Sequence, residues 1–143
     1  MEENGKRNQR KSPLPPEIER IGARVLDAAF AVHSALGPGL LENVYEVCLA
    51  RELERNGLQF RTQVEVPVVY GGIRLAAALR LDLLVEDCVV VELKAVQEVI
   101  PLHFSQLLTY LKLSGYHLGY VINFNVPHLK EGIYRKIMWP DAP

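Results

Sequence analysis

The sequence predicts a single α/β domain in which a mixed sheet is flanked by helices. Two stretches near the start of the chain repeat apolar residues at helical spacing. The middle of the chain alternates apolar and polar residues with a period of two, and a further helical stretch separates this region from a last apolar strand. Helices before and after such strands are typical of a layered α/β domain. At 143 residues the chain fits one domain with its own hydrophobic core.

The first two helices are predicted from Pro15-Pro16 to residue 36 and over residues 40–56. Proline suits the first turn of a helix because its φ is fixed near the helical value. Gly37-Pro38-Gly39 ends the first helix, and Gly57 ends the second. Residues 1–12 are polar, with too few apolar side chains to order themselves. We expect a disordered polar tail over residues 1–12 and one domain over residues 13–143.

Strands are predicted over residues 64–70, 75–85 and 89–94, and Gly71-Gly72 is the turn between the first two. Pro67 makes the first of them an edge strand, because proline cannot donate a hydrogen bond to a neighbouring strand. A third helix over residues 102–114 and a strand over residues 116–123 follow. For residues 130–138 the periodicity leaves both a strand and a helix open.

Charge and cysteine usage limit the classes of function. With 16 basic and 17 acidic residues the net charge is -1, so any contact with a polyanion must be local. Cys48 and Cys88 lie in apolar runs outside any CxxC pattern, which excludes a zinc knuckle and indicates buried thiols in a reducing cytosol. No apolar stretch reaches the roughly 20 residues of a membrane span, and the chain starts without an apolar signal core. We therefore expect a cytoplasmic protein without a membrane partner.

The end of the third predicted strand places a carboxylate and a lysine on one face. Because side chains alternate along a strand, Glu92 and Lys94 point to one side, while Val91 and Leu93 point to the other. Burying charge is costly unless a partner or a metal ion compensates it. A salt bridge between Glu92 and Lys94 is a structural alternative, but it leaves Asp82 on the preceding strand unexplained. A metal site is the stronger interpretation.

The turn between these two strands decides whether the carboxylates meet. Asp82 lies opposite Glu92 only if Val85 pairs with Val89, which leaves Glu86-Asp87-Cys88 as a three-residue loop. A two-residue turn would shift the pairing by one position and move Asp82 to the other face of the sheet. The metal-site hypothesis therefore predicts the longer turn.

This set of residues is suited to phosphodiester hydrolysis, which needs an activated water and compensation of charge on the phosphoryl oxygens. Asp82 and Glu92 offer the hard oxygen ligands that Mg²⁺ or Mn²⁺ prefers. Glu42, in the second helix, is expected to add a metal ligand directly or through water. Lys94 is expected to orient the attacking water or to stabilise the charged transition state.

The third predicted helix adds side chains to the same site. Gln106 and Tyr110 are four residues apart and share one helical face, where they are expected to hold substrate phosphate or a lysine-bound water. His103 falls on that face as well and is expected to assist. The structural alternative is that Gln106 and Tyr110 form a half-exposed helical flank and that His103 is a surface histidine.

Two residues of the second helix also have structural alternatives. Glu42 lies in the first helical turn, where an acidic side chain is favoured by about 0.3–1 kcal/mol through the helix dipole without any metal. Tyr45 lies three residues later on the same face, and we expect it to be a core residue with a satisfied hydroxyl.

These motifs together resemble a known family. Gly39, Glu42 and Tyr45 have the GxxExxY spacing, and with Asp82, Glu92-Leu93-Lys94 and the pair Gln106 and Tyr110 the chain resembles the GxxExxY protein family. That family is similar in its core to the PD-(D/E)xK nuclease superfamily. The resemblance covers about residues 17–138 and implies a restriction-endonuclease-like fold. Arg80-Leu81 stand before Asp82, where the superfamily motif has a proline.

The resemblance and the residue chemistry together predict a Mg²⁺- or Mn²⁺-dependent nuclease. Its expected partner is nucleic acid, with DNA favoured over RNA, and a protein partner or a homodimer is also compatible with its small size. The alternative is a catalytically silent module of the same fold that binds nucleic acid or a protein. Intact Asp82, Glu92 and Lys94 favour the enzyme, whereas the near-neutral charge favours the module or an enzyme that depends on a partner.

Overall fold

The computed structural model describes residues 14–138, and for residues 76–78 it describes the backbone alone. The tail predicted over residues 1–12 lies outside the described residues. Three helices and five strands follow one another as α1 (Pro16–Leu36), α2 (Glu42–Arg55), β1 (Phe60–Tyr70), β2 (Ile73–Val85), β3 (Val89–Lys94), α3 (Pro101–Ser114), β4 (Leu118–Asn123) and β5 (Ile133–Ile137). A short 3-10 helix, Leu129–Gly132, precedes β5. The predicted α/β class, a mixed sheet flanked by helices, is confirmed.

The sheet has the strand order β1-β2-β3-β4-β5. β3 and β4 are parallel, and the other three pairs are antiparallel. Parallel strands need a long connection, which α3 provides between β3 and β4. β1 is an edge strand, as Pro67 predicts, and its pairing with β2 shifts register between Val66 and Val68. Gly71 and Gly72 form the predicted turn, with φ values of 56° and 79° that glycine adopts without a steric penalty.

Two hydrophobic cores lie on the two faces of the sheet. The first joins α1 and α2 to the sheet and includes Val89, Val91 and Leu93 of β3. The second joins α3 to the other face, where Val90 packs with Leu107 and Leu111. Because β3 is covered on both sides, its first half, Val89 to Val91, is a continuous apolar run in the sequence. α3 approaches β4 closely, since a Cβ added at Gly119 would lie 2.8 Å from the Leu107 side chain.

Several element boundaries differ from the sequence prediction. β1 begins at Phe60, four residues earlier than predicted, because Arg61, Thr62 and Gln63 are exposed and no apolar alternation marks them. The open question at the end of the chain resolves as a strand, β5, that pairs with β4. Cys48 and Cys88 are free thiols, but they are half-buried and not buried, because both lie at the rim of the first core. Within residues 14–138, no helix has the length and apolar character that crossing a membrane requires.

Candidate metal and nucleic-acid site

The turn between β2 and β3 brings Asp82 next to Glu92. Val85 pairs with Val89 and Leu83 pairs with Val91, so Glu86, Asp87 and Cys88 form a three-residue loop. Glu86 and Asp87 adopt left-handed backbone conformations, with φ values of 50° and 54°. The predicted register is therefore confirmed, and the next position along the two strands joins Asp82 to Glu92.

At this position the backbone N–H groups donate to side-chain carboxyl oxygens of the opposite strand and not to its backbone carbonyls. The Leu93 N–H donates to Oδ2 of Asp82 at 2.8 Å. The Asp82 N–H donates to Oε1 of Glu92 at 3.1 Å. Each carboxyl group thus accepts a backbone amide from the opposite strand, and these two bonds fix the orientation of both side chains.

Glu92 is a buried acid with only 7% of its surface exposed. Burial and then the negative charge of Asp82 raise the pKa of the Glu92 carboxyl to about 9, and the charge of Lys94 opposes this rise. The metal-free protein therefore holds a proton on Glu92 at neutral pH. A cation bound between the two carboxylates would replace that proton, because its charge removes the repulsion.

Lys94 ends β3 two residues after Glu92 and is half-buried. Its carbonyl oxygen accepts the Phe124 N–H at 2.9 Å, which fixes the strand end against β4. Burial lowers the pKa of His103, and the positive charge of Lys94 lowers it further. The Lys94 ammonium group is therefore within electrostatic reach of His103 at the start of α3 and of Glu92.

Glu42 is the first residue of α2 and is exposed. Burial, Asp82 and Glu46 raise the pKa of its carboxyl, whereas Lys94 lowers it. The start of α2 therefore lies within electrostatic reach of Asp82 and Lys94. Tyr45, one turn later, is fully buried, donates its hydroxyl to the Gly37 carbonyl at 2.6 Å and is thus the core residue that we expected.

The residues of α3 approach the site to different degrees. Burial raises the pKa of Tyr110, and the charges of Glu92 and Asp82 raise it further, so the Tyr110 hydroxyl lies on the carboxylate side of α3. His103 accepts the Ile100 N–H at Nδ1 over 3.3 Å, near the start of the helix. Gln106 is exposed one turn before Tyr110, and its participation in the site stays a prediction.

Asn123 supports the site but does not stand out in the sequence. It is 3% exposed at the end of β4, in the position that pairs with Lys94. Its side chain donates to the Val96 carbonyl at 3.0 Å and accepts the Val96 N–H at 3.1 Å. Asn123 thereby holds the segment that follows Lys94. The signal available in the sequence is a lone amide at the end of a strand that is otherwise apolar.

The donor chemistry of this site fits a hard divalent cation. Within residues 14–138, no group of three or more histidine, cysteine, aspartate or glutamate side chains is placed to hold a metal ion. The fit therefore rests on two carboxylates, Asp82 and Glu92, which lie together beside a lysine. Mg²⁺ is commonly bound by one or two carboxylates and keeps several waters, so two such ligands meet its requirements. Glu42 would then act through water.

The comparison with protein families gives a match that covers most of the chain. The family model of the PD-(D/E)XK nuclease superfamily matches residues 19–136. The matched range includes all of the predicted site residues, from Glu42 to Tyr110. No curated protein and no solved structure matches the chain.

Proposed function

The chain belongs to the PD-(D/E)XK nuclease superfamily, and from this membership and the geometry of the site we propose that it is a metal-dependent nuclease. The proposed reaction is hydrolysis of phosphodiester bonds in nucleic acid, with DNA as the first candidate substrate. The GxxExxY spacing of Gly39, Glu42 and Tyr45 supports placing it in the GxxExxY family within that superfamily. A cytoplasmic location is proposed from its two free thiols.

The observation that carries the proposal is the reciprocal bonding of Asp82 and Glu92. Each carboxylate accepts a backbone amide of the other strand, and the Lys94 side chain is two residues away on β3. A structural ion pair does not need two acids in contact, one of which is buried and protonated. A pair of fixed carboxylates beside a lysine supports a cation-binding role.

The residues of the chain have distinct proposed roles. Asp82 and Glu92 would hold Mg²⁺ or Mn²⁺, and Glu42 would bind a water of that ion. A bound divalent ion supplies a water of lowered pKa and compensates phosphoryl charge. Lys94 would orient the attacking water or donate to a phosphoryl oxygen. Tyr110, whose pKa is raised by burial, would donate its hydroxyl to the substrate phosphate.

The direct test is a panel of single-stranded, double-stranded and structured DNA and RNA with Mg²⁺ or Mn²⁺. We expect cleavage of at least one class by the wild type, and none by Asp82→Ala purified in the same way. The Asp82→Ala control excludes a contaminating nuclease. Metal-dependent cleavage by both proteins would contradict the proposed site.

A second candidate function is that of a catalytically silent module. Exposed apolar side chains next to the site favour this alternative. Leu41 is 73% exposed directly before Glu42, and Val47 is 68% exposed on the same helix. Apolar surface of this kind beside a candidate site is typical of a contact with another protein. The silent module predicts that Asp82→Asn and the wild type bind nucleic acid equally and that neither cleaves it.

A further inference from the structure

In the hairpin of β1 and β2, the side chains switch from one face of the sheet to the other at one pair of residues. Side chains two apart on a strand normally share a face. On β2, however, Leu83 packs in the first core, whereas Leu81 packs in the second. On β1 the same change occurs, because Phe60 packs against the first core and Val64 against the second.

This change falls at Gln63 on β1 and Asp82 on β2. The strand pairing includes Thr62 with Leu83 and Val64 with Leu81, but the pair between them is missing. Gln63 has a φ of 52°, in the left-handed region that residues with a side chain rarely adopt. A local break in a strand re-aims the neighbouring side chains and is often found next to active sites. Here the neighbour across the hairpin is Asp82.

The Gln63 side chain ties this break to α2. Its Nε2 donates to Oε1 of Glu46 at 2.9 Å. Glu46 is half-buried and lies one helical turn after Glu42. The break opposite Asp82 is therefore hydrogen-bonded to the helix that carries Glu42, the other proposed acid of the site.

We propose that Gln63 is a positioning residue for the metal site, because its left-handed backbone aims the Asp82 carboxylate at β3. The amide of Gln63 links this kink to α2 through Glu46. The proposal rests on the proposed function, since it assigns the kink to a cation site formed by Asp82 and Glu92. One part of the proposal can be tested without metal. The Leu93 N–H should keep its hydrogen bond to Asp82 only while Gln63 keeps its left-handed backbone conformation.

Substitutions at Gln63 separate the backbone from the side chain. Gln63→Gly keeps the left-handed conformation, whereas Gln63→Val disfavours it because its branched Cβ clashes there. In Gln63→Val we expect hydrogen exchange of the Leu93 amide to become about tenfold faster or more, the size expected for losing a bond to a charged group. In Gln63→Gly it should stay within about threefold of the wild type. Thr62→Val, the exposed neighbour on the same strand, is the control and should leave it unchanged.

The affinity for Mn²⁺, measured by calorimetry, is the second measurement. We expect Gln63→Val to bind Mn²⁺ at least about tenfold more weakly than Gln63→Gly, in line with the loss of an outer-shell contact. If Gln63→Val does not fold, Gln63→Ala replaces it and should lie between the other two variants in both measurements.

The possible outcomes test the role of the Gln63 kink separately from the existence of the metal site. The proposal would be overturned if a folded Gln63→Val protects the Leu93 amide from exchange as well as Gln63→Gly does. The same holds for Gln63→Ala if it replaces Gln63→Val. A wild type that binds no Mn²⁺, but in which exchange of Leu93 responds as expected, would keep the kink and reject the metal site. A normal Mn²⁺ response in all variants would reject the positioning role alone.

Discussion

The side chains of Asp82 and Glu92 each accept a backbone amide of the opposite strand. Lys94, two residues after Glu92, is the cationic side chain closest to them along β3. The three residues therefore have separable roles. The two acids are the expected ligands of a cation, whereas the lysine is proposed to act on water or on developing charge. Substituting one residue at a time should remove either binding or chemistry, and this distinction can be measured.

Lys94→Ala should abolish cleavage and leave metal binding largely intact. We expect the rate to fall at least about a hundredfold, the usual cost of removing a group that stabilises transition-state charge. Calorimetry with Mn²⁺ should give an affinity close to that of the wild type. Lys112→Ala, which removes an exposed lysine from the last turn of α3, is the matched control and should be fully active. Full activity in Lys94→Ala, with Asp82→Ala inactive, would reject the role of this lysine.

Glu92→Gln should change how the stability of the metal-free protein depends on pH. Glu92 has its pKa raised from 4.5 to about 9 on folding. Its contribution to stability is fully present below pH 4.5 and is lost as the pH rises through about 9. The wild type should therefore lose stability relative to Glu92→Gln by up to about 1.4 kcal/mol per pH unit in this range. Urea denaturation in EDTA at pH 5 and pH 8.5 measures this difference, and an equal difference at both pH values would contradict the assignment.

At the scale of elements, the end of β3 is held by its neighbour β4. Asn123 replaces a missing strand partner by bonding both backbone groups of Val96. Asn123→Ala leaves the backbone N–H and carbonyl of the half-buried Val96 without their partner. We expect a loss of about 1–3 kcal/mol in the free energy of unfolding, measured by urea denaturation. Asn125→Ala, two residues later, is the control, and equal small losses in both variants would show that Asn123 does not hold the segment.

The sequence predicted those elements whose pattern is local. The register of β2 against β3 followed from the chemistry of Asp82 and Glu92, and the edge position of β1 followed from Pro67. The early start of β1 was missed because its exposed residues pair only through their backbone with β2. The kink at Gln63 was missed because a glutamine gives no sign of a left-handed φ. The role of Asn123 depends on the path of residues 95–97 beside β4, which periodicity does not describe.

At the scale of the whole molecule, charge limits the contact with nucleic acid. The chain carries 16 basic and 17 acidic residues, so it has no net positive charge with which to neutralise a long stretch of phosphates. Binding should therefore be local and centred on the site. A partner protein that extends this surface remains our prediction for a tighter complex, and the exposed Leu41 and Val47 are where we expect it to bind.

The salt dependence of DNA binding should reflect this small number of contacts. Using Asp82→Asn to prevent cleavage, we expect the slope of log K against log salt concentration to be shallower than about -4, because each neutralised phosphate contributes about -0.9. Fluorescence anisotropy between low and moderate salt measures the slope. A steep slope would show an extended basic surface and contradict the local contact.

The thermal stability of the wild type and Asp82→Asn tests the metal site most directly, and it needs no substrate. Without metal, Asp82→Asn should be slightly more stable, because it removes the negative charge that disfavours ionisation of the buried Glu92, and its amide oxygen can still accept the Leu93 N–H. Mg²⁺ or Mn²⁺ at a hundredfold excess over the dissociation constant should stabilise the wild type by about 2.7 kcal/mol and the variant far less. Melting curves of both proteins in EDTA, Mg²⁺ and Mn²⁺ measure this. Equal metal responses in the two proteins would contradict the account, since they would show that Asp82 and Glu92 do not form a metal site.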